Sequence, residues 1–342
     1  MSQAFYSYTY SDLCALGVGN GLTEPMVSLL FNWHYKKNQR ERCSHQDLSR
    51  SAKIFLAGLD FKLPKIKIVK QSTDKTVKFL IEMADGQCVE TVLIPFNGRY
   101  SVCLSSQVGC AVKCSFCFTG TQGFKRNLTT DEIIGQFLGV KTWLSENRPG
   151  EDKISNVVYM GQGEPLHNFE AVRDSASILI SQHGISLAPR KVTVSTSGHV
   201  PGLKRWSEEM PDVNIALSLH SPFDEKRSEL IPLNRKYGIA EVLPLVDAIP
   251  KSKKRFATYE YVMLQDFNDG DDDAHATGKL LEGKKAYVNL IPFNTFPNSH
   301  YLRSSMERIQ KFKSILDSYK IPTLIRVTKG DDIFGACGQL KV

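Results

Sequence analysis

The stretch Cys110-Ala-Val-Lys-Cys114-Ser-Phe-Cys117 places three thiols close together, with an aromatic side chain directly before the third. The next cysteine after Cys117 is Cys337, so no fourth thiol follows these three at similar spacing. Three thiolates can bind three irons of a [4Fe–4S] cluster and leave the fourth iron without a protein ligand. A substrate-like molecule can chelate that open iron. The spacing therefore predicts a cluster held by Cys110, Cys114 and Cys117.

Other uses of three close thiols fit this chain less well. A structural zinc site takes four ligands, usually as two close pairs, and no histidine follows here at ligand spacing. An electron-transfer ferredoxin needs a fourth cluster cysteine. A disulfide framework is typical of short secreted chains, whereas this chain has 342 residues and 8 cysteines.

The same spacing, with its aromatic residue, resembles the signature of radical S-adenosylmethionine (SAM) enzymes. In those enzymes the amino and carboxylate groups of SAM bind the open iron. An electron from the cluster then breaks the sulfonium and gives a 5′-deoxyadenosyl radical. The resemblance implies that SAM is a cofactor of this chain.

The composition is typical of a soluble globular protein, with 42% hydrophobic and 23% charged residues. No run of about twenty apolar residues occurs, so we expect no transmembrane helix and no membrane partner. The first residues have neither a basic stretch nor an apolar stretch of the kind that begins a secretory signal. We therefore expect a cytoplasmic protein, because thiols stay reduced in that compartment and a cluster can persist there.

The net charge of +7 is concentrated between His34 and Lys75, where few acidic residues occur. The basic residues that follow His34 are Lys36, Lys37, Arg40, Arg42, Arg50, Lys53, Lys62, Lys65, Lys67, Lys70 and Lys75. A polyphosphate backbone is the natural partner of such a surface. A solvated basic face without any partner is the alternative.

The chain divides into three predicted parts. Residues 1–75 are expected to form a helical domain, because apolar residues recur there at helical spacing, and its basic charge suits a nucleic acid such as RNA. Residues 76–98 are expected to form a β-hairpin extension, since two alternating segments flank Asp85-Gly86. Residues 99–342 are expected to form a partial barrel that ends in a loop with Cys337.

Strand and helix patterns alternate from residue 100 onward, which predicts an α/β fold with a parallel sheet in an open, partial (β/α)6 barrel. The predicted strands are 100–103, 156–160, 191–195, 213–219, 259–264, 286–292 and 323–327, and the predicted helices are 131–145, 169–182, 200–208, 239–248, 273–281 and 303–319. The active site of such a fold lies at the carboxyl ends of the strands.

Several candidate SAM-binding residues fall at these strand ends. Gly163 and Glu164 lie in Met160-Gly-Gln-Gly-Glu-Pro-Leu166, where glycine allows close approach of a ligand and a carboxylate can hold an ammonium group. In a radical SAM enzyme, this element binds the SAM amino group. The residues that could bind the carboxylate, ribose and adenine are Ser195, Ser218, Leu219, His220 and Asn294. Ordinary capping of loops is the alternative for each of them.

Two further cysteines, Cys103 and Cys337, lie outside the three-thiol stretch. An isolated cysteine is commonly a small buried hydrophobic residue, and that interpretation suffices for Cys14, Cys43 and Cys88. Polar residues and glycine flank Cys337, as expected in a loop. An accessible thiol near a cationic cofactor could be a nucleophile.

Motifs spread over residues 76–342 resemble those of the RlmN/Cfr radical SAM methyltransferases, and within that family the RlmN branch. They are Cys103-Leu-Ser-Ser-Gln-Val-Gly-Cys110, Cys117-Phe-Thr-Gly-Thr-Gln-Gly-Phe-Lys-Arg-Asn-Leu128, Met160-Gly-Gln-Gly-Glu-Pro-Leu166, Val194-Ser-Thr-Ser-Gly198, Ser218-Leu-His220, Asn289-Leu-Ile-Pro-Phe-Asn294 and Ala336-Cys-Gly-Gln-Leu340.

The resemblance implies a SAM-dependent RNA methyltransferase that methylates adenosine C2 in 23S rRNA and tRNA, using two SAM per turnover and an electron donor such as flavodoxin. One SAM methylates Cys337, and the radical from a second SAM activates that methyl group. The resulting methylene radical adds to the adenine base, and Glu90 accepts the C2 proton. Cys103 then attacks the Cys337 sulfur and leaves a transient disulfide.

Three other functions remain possible at this stage. A Cfr-like enzyme would methylate C8 of the same adenosine. A non-catalytic iron–sulfur protein would only bind RNA, and a different radical SAM enzyme would act on a protein or a metabolite. The last two need neither a methyl-carrying Cys337 nor a resolving Cys103.

Overall fold

The computed structural model describes residues 3–37, 48–151, 153–249 and 255–342. Its strands are β1 (Gln3–Ala4), β2 (Leu59–Asp60), β3 (Lys65–Gln71), β4 (Val77–Glu82), β5 (Cys88–Phe96), β6 (Arg99–Cys103), β7 (Gln107–Gly109), β8 (Phe124–Asn127), β9 (Ile154–Tyr159), β10 (Val192–Thr196), β11 (Asn214–Ser218), β12 (Ala257–Met263), β13 (Ala286–Pro292) and β14 (Thr323–Ile325). Its helices are α1 (Tyr10–Val18), α2 (Glu24–Phe31), α3 (Arg50–Ala57), α4 (Thr130–Asn147), α5 (Phe169–Ile180), α6 (Val200–Glu209), α7 (Asp224–Leu230), α8 (Ile239–Ala248), α9 (Asp271–Leu281) and α10 (Met306–Ser318).

Among the described residues, the main sheet has the order β14-β13-β12-β11-β10-β9-β6-β5-β4-β3. Strands β6 and β9 to β14 run parallel to one another, whereas β5, β4 and β3 continue the sheet from β6 in antiparallel fashion. The two outermost strands of this order, β14 and β3, do not pair with each other, so the described sheet stays open. This arrangement confirms the predicted open α/β fold with a parallel sheet.

Alternate residues of the parallel strands are apolar and buried, which is the period of a strand with one face against the core. Tyr259 and Tyr261 in β12 are buried, as are Val288 and Leu290 in β13. All seven predicted parallel strands coincide with observed strands. The loops that carry the predicted site residues lie at the carboxyl ends of these strands, on the inner face of the sheet.

Helix limits follow from capping groups. The side chain of Ser305 accepts a hydrogen bond from the N–H of Arg308 at 3.1 Å, so α10 begins at Met306 and not at residue 303 as the sequence pattern predicts. Helix α9 begins with three aspartates, whose negative charges interact favourably with the positive end of the helix dipole. Helix α7 was not predicted, because its seven residues are too short for a clear period.

The expectation that the whole of residues 1–75 is helical is wrong for Lys65–Gln71, which form β3. This strand pairs with β4, with Lys65 opposite Glu82 and Gln71 opposite Val77. Lysines there alternate with Ile66 and other apolar residues, which is the period of a half-exposed strand. Ile66 of this strand packs over Gly139 of α4. A Cβ added to Gly139 would lie 3.7 Å from Ile66 Cδ1, an ordinary contact distance. The antiparallel extension thus has three strands, of which the predicted hairpin supplies two.

The N-terminal helices pack directly onto the barrel. Tyr10 stacks on His183 with ring centroids 3.8 Å apart, and the Ser7 hydroxyl donates a hydrogen bond to Asp131 at 2.7 Å. The basic residues Arg40 and Arg42 lie outside the described residues, as does Cys43. Within the described part of the chain, none of the helices combines the length and apolarity needed to cross a membrane.

Candidate active site

The three cysteines of the opening stretch lie in one loop between β7 and a 3₁₀ turn at Phe118–Thr121. The loop is held by its own main chain, since Cys117 N–H donates to Cys114 C=O at 3.2 Å and Gly120 N–H donates to Cys117 C=O at 3.0 Å. Gly120 is required for close packing, because a Cβ there would lie 2.7 Å from the Cys114 carbonyl oxygen. The loop therefore presents its thiols in a fixed arrangement. We call residues 110–120 the cluster loop.

Burial raises the pKa of all three thiols, and it raises that of Cys110 to about 12. The negative charge of Cys117 raises the pKa of Cys110 and of Cys114 further, so the three sulfurs lie close together. Three buried thiolates that repel one another are stable only beside positive charge. The donor set thus fits a cationic iron–sulfur group better than three bare thiols.

No set of three or more Cys, His, Asp or Glu side chains among the described residues surrounds the position of one metal ion. The ligands of a mononuclear metal such as zinc converge on one centre. In a [4Fe–4S] cluster each thiolate binds its own iron. The three thiols of the cluster loop are the residues that could hold such a cluster.

Cys337 lies beside both the cluster loop and Cys103. The charge of Cys117 raises the pKa of Cys337, and the charge of Cys337 in turn raises the pKa of Cys103. Burial is the largest cause of the raised pKa in both thiols, whereas the guanidinium of Arg326 lowers both. Cys103 is buried at the end of β6. Cys337 has many protein neighbours, but part of the residue is exposed to solvent. The structure therefore brings the two predicted catalytic thiols together.

The loop that carries Cys337 is tied to the barrel at several points. Asn294, at the end of β13, donates from its amide to Cys337 C=O at 3.1 Å. The main-chain N–H of Phe118 donates to Gly338 C=O at 2.7 Å, and the Thr119 hydroxyl donates to Leu340 C=O at 2.6 Å. These bonds join the Cys337 loop directly to the cluster loop. Asn294 thus contacts the backbone of Cys337 itself, a contact that the sequence does not indicate.

Glu90 lies on β5, on the same sheet face as Cys103. Val92, two residues along, is the cross-strand neighbour of Cys103, and side chains two apart in a strand share a face. The Glu90 carboxylate pairs with Lys78 Nζ at 2.7 Å and accepts a hydrogen bond from Lys341 N–H at 2.9 Å. Burial raises the pKa of Glu90, and the positive charge of Lys78 opposes that rise.

Glu164 is buried and already held by protein donors. Its Oε2 accepts hydrogen bonds from the N–H and hydroxyl of Ser197 at 2.8 and 2.7 Å, and its Oε1 accepts from Leu166 N–H at 3.1 Å. A carboxylate has about four acceptor positions, so one remains for a further donor such as an ammonium group. The Glu164 charge also raises the pKa of Cys110 and Cys114, which places it beside the cluster loop.

Gly163 precedes Glu164 in a backbone conformation that favours glycine, with φ of 108°. A Cβ at this position would lie 2.6 Å from the Cβ of Gln107, so no larger residue fits. Gln107 Oε1 also accepts a hydrogen bond from Glu164 N–H at 2.8 Å. The close packing of this turn positions the carboxylate next to the thiols.

The remaining candidates lie at the ends of β10 and β11. Ser195 donates its hydroxyl to Tyr159 C=O at 2.8 Å, and Ser218 and Leu219 offer their carbonyls to Arg227. His220 has φ of 57°, and its Nδ1 accepts a hydrogen bond from Val262 N–H at 3.0 Å. Burial, with the charge of Arg227, lowers the pKa of His220 to about 3.

His220 is therefore neutral at physiological pH and carries its proton on Nε2. Its ring meets the edge of Phe116, the aromatic residue of the cluster loop, at a centroid distance of 4.6 Å. This contact explains why an aromatic residue directly precedes Cys117. It also places the end of β11 beside the cluster loop.

Arg227 is a site residue that the sequence analysis missed. It is buried in α7 and donates hydrogen bonds to the carbonyls of Ser197, Ser218 and Leu219 and to the side-chain oxygen of Asn234. It therefore fixes the ends of β10 and β11 relative to each other. Its charge lowers the pKa of Cys114. An isolated arginine in a charged segment carries no sequence signal for such a role. Arg326, which faces the Cys337 thiol, was missed for the same reason.

Comparison with known proteins agrees with this geometry. Residues 104–277 match the profile of the Radical SAM superfamily. The chain is 42% identical over 323 residues to the dual-specificity RNA methyltransferase RlmN of Paracoccus denitrificans (strain Pd 1222), covering 92% of this chain and 82% of that protein. It also superposes on the crystal structure of a radical SAM methyltransferase from Sphaerobacter thermophilus with a TM-score of 0.89, at 37% identity and over 99% of both chains.

Proposed function

Since this chain belongs to the RlmN family of radical SAM methyltransferases, we propose that it methylates C2 of adenosine in 23S rRNA and tRNA. That it is a SAM-dependent methyltransferase follows from the family, and the family also implies SAM and a [4Fe–4S] cluster as cofactors. The RNA substrate, the C2 position and the methyl-carrying cysteine are the finer parts of the proposal.

We assign the cluster to Cys110, Cys114 and Cys117. When bound, the cluster and SAM supply an electron and a carbon radical. Gly163 and Glu164 are proposed to hold the SAM amino group, because the carboxylate lies beside the cluster loop. Ser195, Ser218, Leu219, His220 and Asn294 are proposed to hold the carboxylate, ribose and adenine of SAM, since they lie at the carboxyl ends of neighbouring strands.

The observation that carries the proposal is the juxtaposition of Cys337, Cys103 and the cluster loop. C2 of adenine is electron-poor, so it cannot displace a methyl group from SAM directly. A methyl group stored on Cys337 would lie next to the place where a radical can form. Two SAM molecules per turnover are then needed, one for the Cys337 methyl group and one for the radical, and an electron donor such as flavodoxin completes the scheme.

Glu90 and Cys103 complete the proposed reaction. After the methylene group has joined the base, Glu90 accepts the C2 proton, because it is a buried carboxylate on the same sheet face as Cys103. The unpaired electron of the adduct passes back to the electron carrier that supplied it. The Cys103 thiolate then attacks the Cys337 sulfur, the carbon–sulfur bond to the base breaks, the released carbon takes up a proton to become the methyl group, and the methylated RNA leaves. Cys103 and Cys337 end as a disulfide that the cell must reduce before the next turnover.

The test is the product formed on RNA. Purified protein with a reconstituted cluster is incubated with SAM, a reductant and either a 23S rRNA fragment or tRNA, and the nucleosides are analysed by mass spectrometry. We expect 2-methyladenosine, and none with Cys337→Ala. Methylation at C8 would identify a Cfr-like enzyme, whereas SAM cleavage without any RNA product would point to a protein or metabolite substrate.

A further inference from the structure

One buried ion pair contacts both ends of the segment that carries Cys337. We call residues 334–341 the Cys337 segment. Lys78 Nζ donates to Phe334 C=O at 3.0 Å at one end, and Glu90 accepts from Lys341 N–H at 2.9 Å at the other. Lys78 and Glu90 themselves are joined at 2.7 Å. Two adjacent strands, β4 and β5, thus hold the Cys337 segment through a single pair of charges.

This pair differs from another Lys–Glu pair on the same part of the sheet. The Lys67–Glu82 pair between β3 and β4 has the same 2.7 Å distance, but its side chains are 52% and 33% exposed. The Lys78 and Glu90 side chains are only 8% and 7% exposed. An exposed pair contributes little to structure, whereas loss of one partner from a buried pair leaves an uncompensated charge. The two pairs therefore form a matched comparison.

The backbone that Lys78 contacts is strained. Phe334 has φ of 52°, a left-handed conformation that is unfavourable for a bulky residue and needs surrounding contacts to persist. Gly330, nearby, packs so closely on the extension that a Cβ would lie 2.8 Å from Thr76 Cγ2. The bond from Lys78 reaches the Phe334 carbonyl itself. The Cys337 segment is thus held in a conformation that it would not keep alone.

We propose that Lys78 is a positioning residue that fixes the Cys337 segment and Glu90 relative to each other. The part that concerns Glu90 rests on its proposed function as the proton acceptor. The Lys78 ammonium group contacts both the Cys337 segment and the Glu90 carboxylate. It therefore keeps a constant distance between the Cys337 sulfur, which carries the methyl group, and the carboxylate that accepts the proton. Lys78 also counteracts the rise in the Glu90 pKa that burial causes.

The first test follows main-chain hydrogen exchange of the Cys337 segment by mass spectrometry, in protein with its cluster and without RNA. Lys78→Met should speed exchange in the Cys337 segment at least about tenfold, because the Phe334 carbonyl loses its donor and the unpaired Glu90 carboxylate takes up water or a proton. Lys67→Met removes the exposed pair and should leave exchange at the wild-type rate. Glu90→Gln removes one charge without loss of volume and should speed exchange as Lys78→Met does.

Iron content, measured beside exchange, reports whether each variant is folded. If Lys78→Met loses iron, Glu90→Gln decides the question alone. Wild-type exchange in a folded Lys78→Met or Glu90→Gln variant overturns the proposal. Equal acceleration in Lys67→Met overturns it too, because the effect would then belong to the sheet in general.

The second test separates positioning from general stability in the RNA reaction. Lys78→Met should lower kcat at least about tenfold and leave the KM for RNA unchanged, and Lys78→Arg should restore part of kcat because it restores the charge. In a Glu90→Gln background, Lys78→Met should have no further effect on kcat, since the two residues act together. Additive effects of the two substitutions would overturn the coupling.

The two arms distinguish this proposal from the proposed function. If the wild-type protein makes no 2-methyladenosine but Lys78→Met speeds exchange, the RNA assignment fails and the positioning role of Lys78 on the Cys337 segment stands. If the wild-type protein methylates RNA and Lys78→Met changes neither exchange nor kcat, the positioning role fails and the RNA assignment stands.

Discussion

At Cys337, burial and the positive charge of Arg326 change the pKa of the thiol in opposite directions. Burial raises this pKa, and the nearby thiol of Cys117 and carboxylate of Glu260 add to the rise. The guanidinium of Arg326, which is exposed to solvent, lowers it. Because only the thiolate attacks a methyl donor, Arg326 favours the reactive form.

Replacing Arg326 by methionine should therefore raise the pKa of Cys337 and reduce its thiolate fraction at any pH below that value. We expect the alkylation rate of Cys337, measured by peptide mass spectrometry across a pH series, to fall several-fold at pH 8, because a higher pKa leaves less thiolate. Lys329→Met removes a cation in the same loop that contacts Asp74 and serves as the control. An unchanged pH profile would mean that Arg326 is too well solvated to affect the thiol.

Cys103→Ala should separate formation of the RNA adduct from its resolution. The variant keeps Cys337 and the cluster loop, so the methylene group can still join the base. Without Cys103 the thioether has no nearby thiol to break it, and protein should purify with RNA covalently attached at Cys337. Multiple turnovers by this variant would show that Cys103 is only a structural residue. The double variant Cys103→Ala with Cys337→Ala should purify without attached RNA.

At the scale of elements, the cluster loop depends on close main-chain packing as well as on its thiols. Gly120 follows the last thiol, and its position against the Cys114 carbonyl leaves no room for a side chain. The aromatic Phe116 rests on His220 and joins the cluster loop to the end of β11. The arrangement of the thiols is therefore set by a glycine and an aromatic residue that bind no iron.

Gly120→Ala should accordingly impair cluster loading although every thiol is retained. The added Cβ would contact a main-chain carbonyl, which cannot move aside as a flexible side chain can. We expect at least a twofold loss of iron per protein after reconstitution, measured by iron analysis and visible absorption. Gly19→Ala is the control, because that position has open space around it and an ordinary backbone conformation. Full iron content in Gly120→Ala would show that the cluster loop can shift.

Elements with a strong hydrophobic period could be predicted from the sequence, whereas contacts between residues far apart in the chain could not. The parallel strands could be predicted because their apolar residues are bounded by turn residues. Strand β3 was not predicted, because its lysines were interpreted as a charged surface and not as the exposed side chains of an edge strand. Arg227 and Lys78 could not have been found, because each contacts residues that are brought near only by folding.

At the scale of the whole molecule, the basic residues of the N-terminal region differ in how they contact the rest of the protein. Lys36 Nζ donates to Gln182 C=O, so this lysine is tied to the barrel. Lys65 and Lys70 of β3, by contrast, are exposed. They are better probes of the predicted RNA surface than residues whose side chains hold the fold together.

Lys65→Glu combined with Lys70→Glu should weaken RNA binding and flatten its dependence on salt. Each phosphate contact that is lost should reduce the slope of log K against log salt by about 0.7 to 0.9, because fewer counterions are released. SAM cleavage in the absence of RNA should be unchanged, since β3 lies three strands away from β6, the strand that precedes the cluster loop in the main sheet. Affinity and slope at wild-type values would mean that RNA binds elsewhere.

The lysines of β3 also bear on how copies of this protein behave toward one another. At the outer edge of the described sheet, β3 offers main-chain groups that a strand from another molecule could pair with, and charged side chains on such an edge discourage that pairing. Glutamate at positions 65 and 70 would keep this protection while it repels RNA, whereas threonine would remove it. Threonine variants should therefore aggregate in concentrated solution, as light scattering would show, while the glutamate variant stays dispersed.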